Sequence, residues 1–261
     1  MTPDEILERT QWDLFWVPDD VTIVDRPELL YVSCDHDVPY LNVATRTRAG
    51  AQRLPGLVAE VSSAHRSVRS RWLVCPQNRG PDLERALGDG GYAPAYETVG
   101  YVRDLSSFGA PDPRIVVQRV ESVPALRDSV AVADEAFGFE RDPSDGELRR
   151  DLAACADPAG RVHRFLACDA ATGEPMSVGG MTAFPELGFG FLWGGGTVTA
   201  HRGRGAYGQV LRARLEHARR LGLATVGLYA RVDTSAPIVE ARGFTACGPM
   251  TYWDRPPPAM E

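Results

Sequence analysis

The chain lacks paired cysteines. Its five, Cys34, Cys75, Cys155, Cys168 and Cys247, are scattered, and no two form a Cys-x-x-Cys pair. This argues against a disulfide framework and against a metal site. Buried free thiols in a reducing compartment are expected instead. No apolar run approaches the roughly 18 residues of a membrane span. The opening residues Met1-Thr2-Pro3-Asp4-Glu5 lack the basic-then-apolar order of a secretory signal. A cytoplasmic protein with no membrane partner is therefore expected. Positive charge is also short. The net charge of -7 argues against nucleic acid as the main partner, while a local basic pocket stays open.

What is present is an ordinary globular composition, 44% hydrophobic and 24% charged over 261 residues, enough for one large or two small domains. The spacing predicts a helix over residues 3–17 and strands at 29–34 and 40–45. A helix at 55–65, a strand at 72–76, a short helix at 81–87 and a strand at 98–105 follow. Asp35-His36-Asp37 is a combination that metal and acid–base sites use, but its place in a turn favours solvated side chains. Asn42 and His65 read as structural polar residues. Residues 106–113, rich in Ser, Gly and Pro, read as a domain boundary.

Beyond it come a strand at 115–120, helices at 123–137 and 145–156, and a hairpin of strands at 162–169 and 176–184. A strand at 189–199 leads into a basic glycine loop. A shift of 152 positions lays Gly91-Tyr92 on Gly243-Phe244 and Tyr101 on Trp253. Both halves share the order strand, short helix, Gly-aromatic, strand, which points to an internal repeat. The basic glycine loop does not repeat.

That loop, Arg202-Gly203-Arg204-Gly205-Ala206-Tyr207-Gly208, joins the glycine-interrupted strand Gly194-Gly195-Gly196-Thr197-Val198-Thr199 to an amphipathic helix. A helix start presents unpaired N–H groups and the positive end of its dipole. Glycines let a phosphate approach, and arginines add charge. The stretch reads as an anion cradle suited to a pyrophosphate. The helix carries Tyr207, Leu211, Leu215 and Ala218 on one face and Arg212, Glu216 and Arg220 on another.

Residues 114–255 resemble the GNAT superfamily of N-acetyltransferases. The family signature, Gln/Arg-x-x-Gly-x-Gly/Ala between a splayed strand and a helix, is matched in its first four positions by Arg202 to Gly205. A Gly-Phe about forty residues later follows at the expected distance. The resemblance implies an α/β (α+β) fold of two GNAT-like mixed-sheet domains in tandem. Each would have a central twisted, mostly antiparallel sheet flanked by helices. A degenerate domain would span 1–108, and an acetyltransferase domain 114–261.

It further implies acetyl-CoA as co-substrate, with its pyrophosphate on Arg202, Gly203, Arg204, Gly205, Ala206, Tyr207 and Gly208. The pantetheine arm would lie along Thr197, Val198 and Thr199. A primary amine would attack the thioester directly, and a bulge N–H would hold the oxyanion. No metal is implied, and a monomer or homodimer is expected.

Two positions depart from the pattern. The usually small sixth residue is Tyr207. The tyrosine that often protonates the leaving thiolate is replaced by Val239. Tyr229 is the substitute candidate, with half-buried strand packing as its other reading. Glu135, Glu140 and Glu186 are candidate bases, Glu135 foremost. Trp193 reads either as an acceptor-pocket wall or as core, and His201 as an exposed neighbour of the loop. The rival function is a non-catalytic CoA-binding or interaction module.

Overall fold

The structure is a computed structural model that describes residues 1–156 and 160–257. In chain order the elements are α1 (Pro3–Arg9), β1 (Thr22–Arg26), β2 (Leu29–Ser33), β3 (Val43–Thr47), α2 (Leu54–Ala64), β4 (Ser70–Val74), α3 (Pro81–Asp89) and β5 (Ala93–Asp104). The second half adds β6 (Ile115–Arg119), α4 (Val123–Phe137), α5 (Asp145–Ala156), β7 (Val162–Asp169), β8 (Pro175–Phe184) and β9 (Phe189–Thr197). It ends with α6 (Ala206–Arg220), β10 (Thr225–Arg231), α7 (Ala236–Glu240) and β11 (Thr245–Arg255). The fold is α/β, with mixed sheets flanked by helices.

Two differences from the sequence-based elements have local causes. The helix expected over 3–17 stops at Arg9, where the Thr10 hydroxyl donates to the Leu7 carbonyl at 2.7 Å and turns follow. The strand expected from Tyr40 begins at Val43, because Pro39 opens a 3-10 turn through Leu41. Asn42 is structural. Its carbonyl accepts from Cys34 N at 2.9 Å and its amide donates to His36 O at 2.7 Å. Asp37 accepts from Arg69 N, and His36 lies 3.3 Å from Asp20. Among the described residues no group of three His, Cys, Asp or Glu is placed to hold a metal, and no helix is long and apolar enough to cross a membrane. Cys34, Cys75, Cys168 and Cys247 are free thiols, while the side chain of Cys155 lies outside the described residues.

The chain forms two compact units. One comprises Met1–Tyr101 with Tyr229–Glu261, the other Val102–Leu228. These units do not follow the linker at 106–113. The reason is β11, which pairs antiparallel with β4 from Thr251↔Val74 to Arg255↔Ser70. Arg71 adds a two-pronged ion pair to Asp254, with both contacts at 2.7 Å. Residues 258–261 of the expected second domain lie outside the described residues.

In the first unit the strand order is β1-β2-β3-β4-β11-β5. β1–β2 and β2–β3 are antiparallel and β3–β4 is parallel. Alternate residues face opposite ways. Leu29, Tyr31, Trp72 and Val74 pack with α2 and α3, while Leu30, Val32, Leu73 and Cys75 build a second cluster. In the other unit the order is β10-β9-β8-β7-β6. β7–β8 and β8–β9 are antiparallel and β9–β10 is parallel, which repeats the first unit's pattern. Phe165 and Ala167 of β7 pack with α6, and Leu166 between them packs with α4.

Three buried histidines have no carboxylate partner among the described residues. His65 lies between the Ser70 hydroxyl at 2.6 Å and the Val32 carbonyl at 2.8 Å. His163 and His217 face each other with ring centroids 4.4 Å apart. Burial is the main cause that lowers each from the ordinary 6.5 to about 4. The folded pKa therefore lies below the unfolded one, and the unfolded chain binds more protons between those values. The stabilising contribution is complete above about 6.5 and is lost as pH falls toward about 4. Thermal unfolding across this range is expected to show a falling Tm, with a shallower slope in His163→Phe. An unchanged slope in that variant would contradict the assignment.

Candidate active site

The second unit builds its site from a strand that cannot pair evenly. β8 and β9 run in register as Ser177↔Thr197 and Val178↔Gly196, then resume at Gly180↔Trp193. Gly194 and Gly195 thus oppose the single residue Gly179, which is a β-bulge. Gly194 takes φ +58, a conformation glycine adopts without strain. The bulge reassigns faces. In a regular strand residues 193 and 195 would share one. Here the Trp193 ring covers Gly180, where a Cβ would lie 2.4 Å from it. Gly195 instead faces α6, and its Cβ would meet the Tyr207 ring at 2.7 Å. Gly196 turns back toward Ala136 and Phe137 of α4.

On its other edge β9 pairs with β10 only from Phe189↔Thr225 to Phe191↔Gly227. Past that point β9 keeps its partner β8 on one side, while on the other its register with β10 has ended.

The strand ends in a short 3-10 turn over Thr199–His201 and then the loop. Thr197 is anchored by Ser177, whose hydroxyl lies 2.9 Å from its own and donates to Gly196 O at 2.7 Å. Val198 is buried, and its N–H donates to Met176 O at 3.1 Å. Thr199 N donates to Glu135 Oε1 at 2.9 Å, so Glu135 and the strand end are brought together. Arg202 is exposed, with its Nε 3.4 Å from Thr197 O.

His201, expected at the surface, is buried. Its Nδ1 faces Arg204 Nη1 at 2.7 Å and its Nε2 lies 3.1 Å from Glu174. Arg204 is drawn the same way, with Nη2 3.3 Å from Asp169. A cavity of about 300 Å³ opens there, lined by Arg114, Asp169, Met176, Gly203 and Arg204 among others.

Gly203 and Gly205 take φ +74 and +87, and a Cβ at either would meet nothing within 4 Å. The glycines therefore serve backbone conformation and leave open space beside it. Gly205 is the N-cap of α6 and no side chain caps the helix. Its first N–H groups, at Ala206, Tyr207 and Gly208, lack intrahelical acceptors by construction. A helix start, two exposed arginines and open space suit an anion.

No family model matches the sequence, and no curated protein matches it. Solved structures do match in shape. A GCN5-related N-acetyltransferase from Kribbella flavida superposes with TM-score 0.73 at 16% identity, over 100% of this chain and 97% of that one. A tandem GNAT protein from the clavulanic acid biosynthesis pathway gives 0.62 at 12%, over 98% and 89% of the two chains. A GCN5-related N-acetyltransferase from Sphaerobacter thermophilus gives 0.59 at 18%, over 92% and 78%.

The chain has the GNAT fold. Within it the glycine loop joins the bulged strand β9 to the start of α6. Other candidates lie elsewhere. Glu186 is exposed in the turn before β9. It is at the opposite end of that strand from the loop, roughly 25 Å away at the usual rise per residue. Glu140 is exposed beyond α4. Trp193 lies flat on the sheet with its Nε1 donating to Thr182 at 3.0 Å, over Gly180 and under Arg164.

Tyr229 and Val239 belong to the first compact unit. Val239 is buried. Tyr229 packs against the cluster of Leu73, Cys75 and Met250, and burial pushes its hydroxyl well above the ordinary phenol range. The first unit's counterpart of the loop borders a cavity of about 410 Å³ lined by Arg48, Ala51, Leu54, Asn78 and Arg79 among others, and Arg48 is tied to the buried Glu8.

Sequence reasoning missed Arg214. It lies seven residues after Tyr207 and three after Leu211, on the apolar stripe itself, and a charge at that register was the available signal.

Proposed function

We propose that the protein is an acyl-CoA-dependent N-acyltransferase that moves an acetyl group from acetyl-CoA to a primary amine in a ternary complex. The observation that carries this reading is the sequence of parts along one strand. A β-bulge is followed by an edge out of register with its neighbour, then a glycine loop with open space beside it, then an uncapped helix start. An amide-rich pantetheine arm can pair with a strand edge through backbone bonds alone. A pyrophosphate suits the loop's N–H groups with Arg202 and Arg204 at hand. The domain at 114–261 would carry this chemistry.

In the proposed reaction the amine nitrogen forms a bond to the acyl carbon and the carbon–sulfur bond breaks. The amine's proton passes to a base and the thiolate takes one up. Glu135 is proposed as that base, because it is the candidate carboxylate that reaches the strand end. Tyr229 is proposed as the donor to the thiolate, and its raised pKa keeps it protonated at neutral pH. A bulge N–H would stabilise the oxyanion, an effect whose loss typically costs about a hundredfold or more in kcat. The second reading, a non-catalytic CoA-binding module, is favoured by one observation, the valine at position 239.

Calorimetric titration with acetyl-CoA tests the binding claim. The unmodified protein is expected to bind, and Gly205→Asp to lose at least about tenfold in affinity. That variant places a strained side chain at φ +87 and a negative charge at the helix start. No binding by the unmodified protein would overturn the reading. Thiol release against a panel of amines tests the chemistry. Tyr229→Phe is expected to lower kcat about tenfold or more with KM for acetyl-CoA unchanged. An unaltered kcat would move the proton-donor role to water.

A further inference from the structure

α6 carries an arginine where its apolar face meets the sheet. Arg214 is 1% exposed. Its Nη1 donates to Gly180 O at 3.2 Å and makes a longer contact of 3.5 Å to Trp193 O. These are the two residues that resume the register beside the bulge. Its Nε and Nη2 lack an acceptor in hydrogen-bonding geometry, and among the described residues no carboxylate pairs with it. The guanidinium lies 5.7 Å from the Tyr207 ring centroid. Both glycines of the bulge region are shaped around it. A Cβ on Gly179 would sit 2.8 Å from Arg214 Cζ, and one on Gly195 would sit 3.5 Å from Nη2.

A buried cation without a carboxylate partner is destabilising, and a methionine of similar length would fill the same space without that cost. Burial pulls the guanidinium's pKa down, and Tyr207 counters the shift. The fold thus holds a positive charge immediately behind the backbone segment proposed to receive the oxyanion. A positive charge in a water-excluded site stabilises a developing negative charge far more than it would in water.

We infer that Arg214 is a positioning residue for acyl transfer. It holds the carbonyls of Gly180 and Trp193 on the α6 side and thereby sets the bulge, while its charge, which no carboxylate neutralises among the described residues, favours the oxyanion on the acyl carbon. This rests on the acyl-transfer reading above. Glu135 orders the strand end and the loop glycines admit the phosphates. Neither supplies charge beneath the bulge.

The test compares the unmodified full chain with Arg214→Met and Arg214→Lys in three measurements. These are acetyl-CoA affinity by calorimetry, steady-state thiol release, and Tm. For Arg214→Met the expected result is a Kd for acetyl-CoA within about threefold, kcat down by at least about tenfold, and a Tm at or above the unmodified value. Arg214→Lys, which keeps charge but not the two-carbonyl reach, is expected to recover part of kcat. A merely structural arginine would lower Tm on removal and leave kcat of the folded fraction alone. Either a kcat unchanged in Arg214→Met or a failure of that variant to fold overturns the inference. Failure of the underlying reading is seen separately, as absence of acetyl-CoA binding by the unmodified protein, and takes this inference with it.

Discussion

Two residues of β9 opposing one of β8 is the constraint on which the second unit's site depends. Because Gly194 and Gly195 share the space opposite Gly179, Trp193 and Gly195 fall on opposite faces of the sheet. Trp193 can then lie over Gly180 while Tyr207 closes over Gly195 from α6. The start of α6 is thereby fixed against the strand that feeds it. The loop between them spans only the turn and the glycines, and two of those glycines take positive φ. A side chain at residue 179, 180 or 195 would drive apart elements that the loop needs close together.

The same construction shows what each half of the chain retains. Both units have two antiparallel pairs followed by a parallel one, with a helix between the parallel strands. In the first unit the parallel pair is in register only at Val43↔Arg71 and Ala44↔Trp72. β3 also shifts register against β2, at Thr45 between Leu30↔Arg46 and Tyr31↔Ala44, but the turn into α2 has no Arg-Gly-x-Gly. The shared topology and the unshared loop fit a duplication in which one copy has the basic glycine loop. The last strand, β11, then serves the first unit's sheet and not the one its place in the chain suggests.

Much of this was legible in the sequence. Glycine and proline punctuated the strands, and the helices at 123–137 and 145–156 followed from apolar spacing. The loop was visible because its chemistry is local, residue after residue. What was not legible depends on distance. The exchange of β11 is set by Thr251↔Val74, a pairing across most of the chain. His201 looked exposed because its burial comes from Glu174 and Arg204 folding over it. The surroundings of Tyr229 were not legible either. Its place in a core cluster with Cys75 and Met250 comes from residues far away in sequence. Arg214 put a charge on the apolar stripe of α6, and its contacts with Gly180 O and Trp193 O beside the bulge join elements distant in sequence.

The central claim is that one segment, from the bulge through the loop to the first turn of α6, receives the acyl donor through its backbone. Amide hydrogen exchange on the full chain, with and without acetyl-CoA, reads that backbone directly. Slowed exchange centred on residues 192–209, with residues 48–55 unchanged, is the expected result. Unaltered exchange at 192–209, or protection confined to 48–55, would contradict the account.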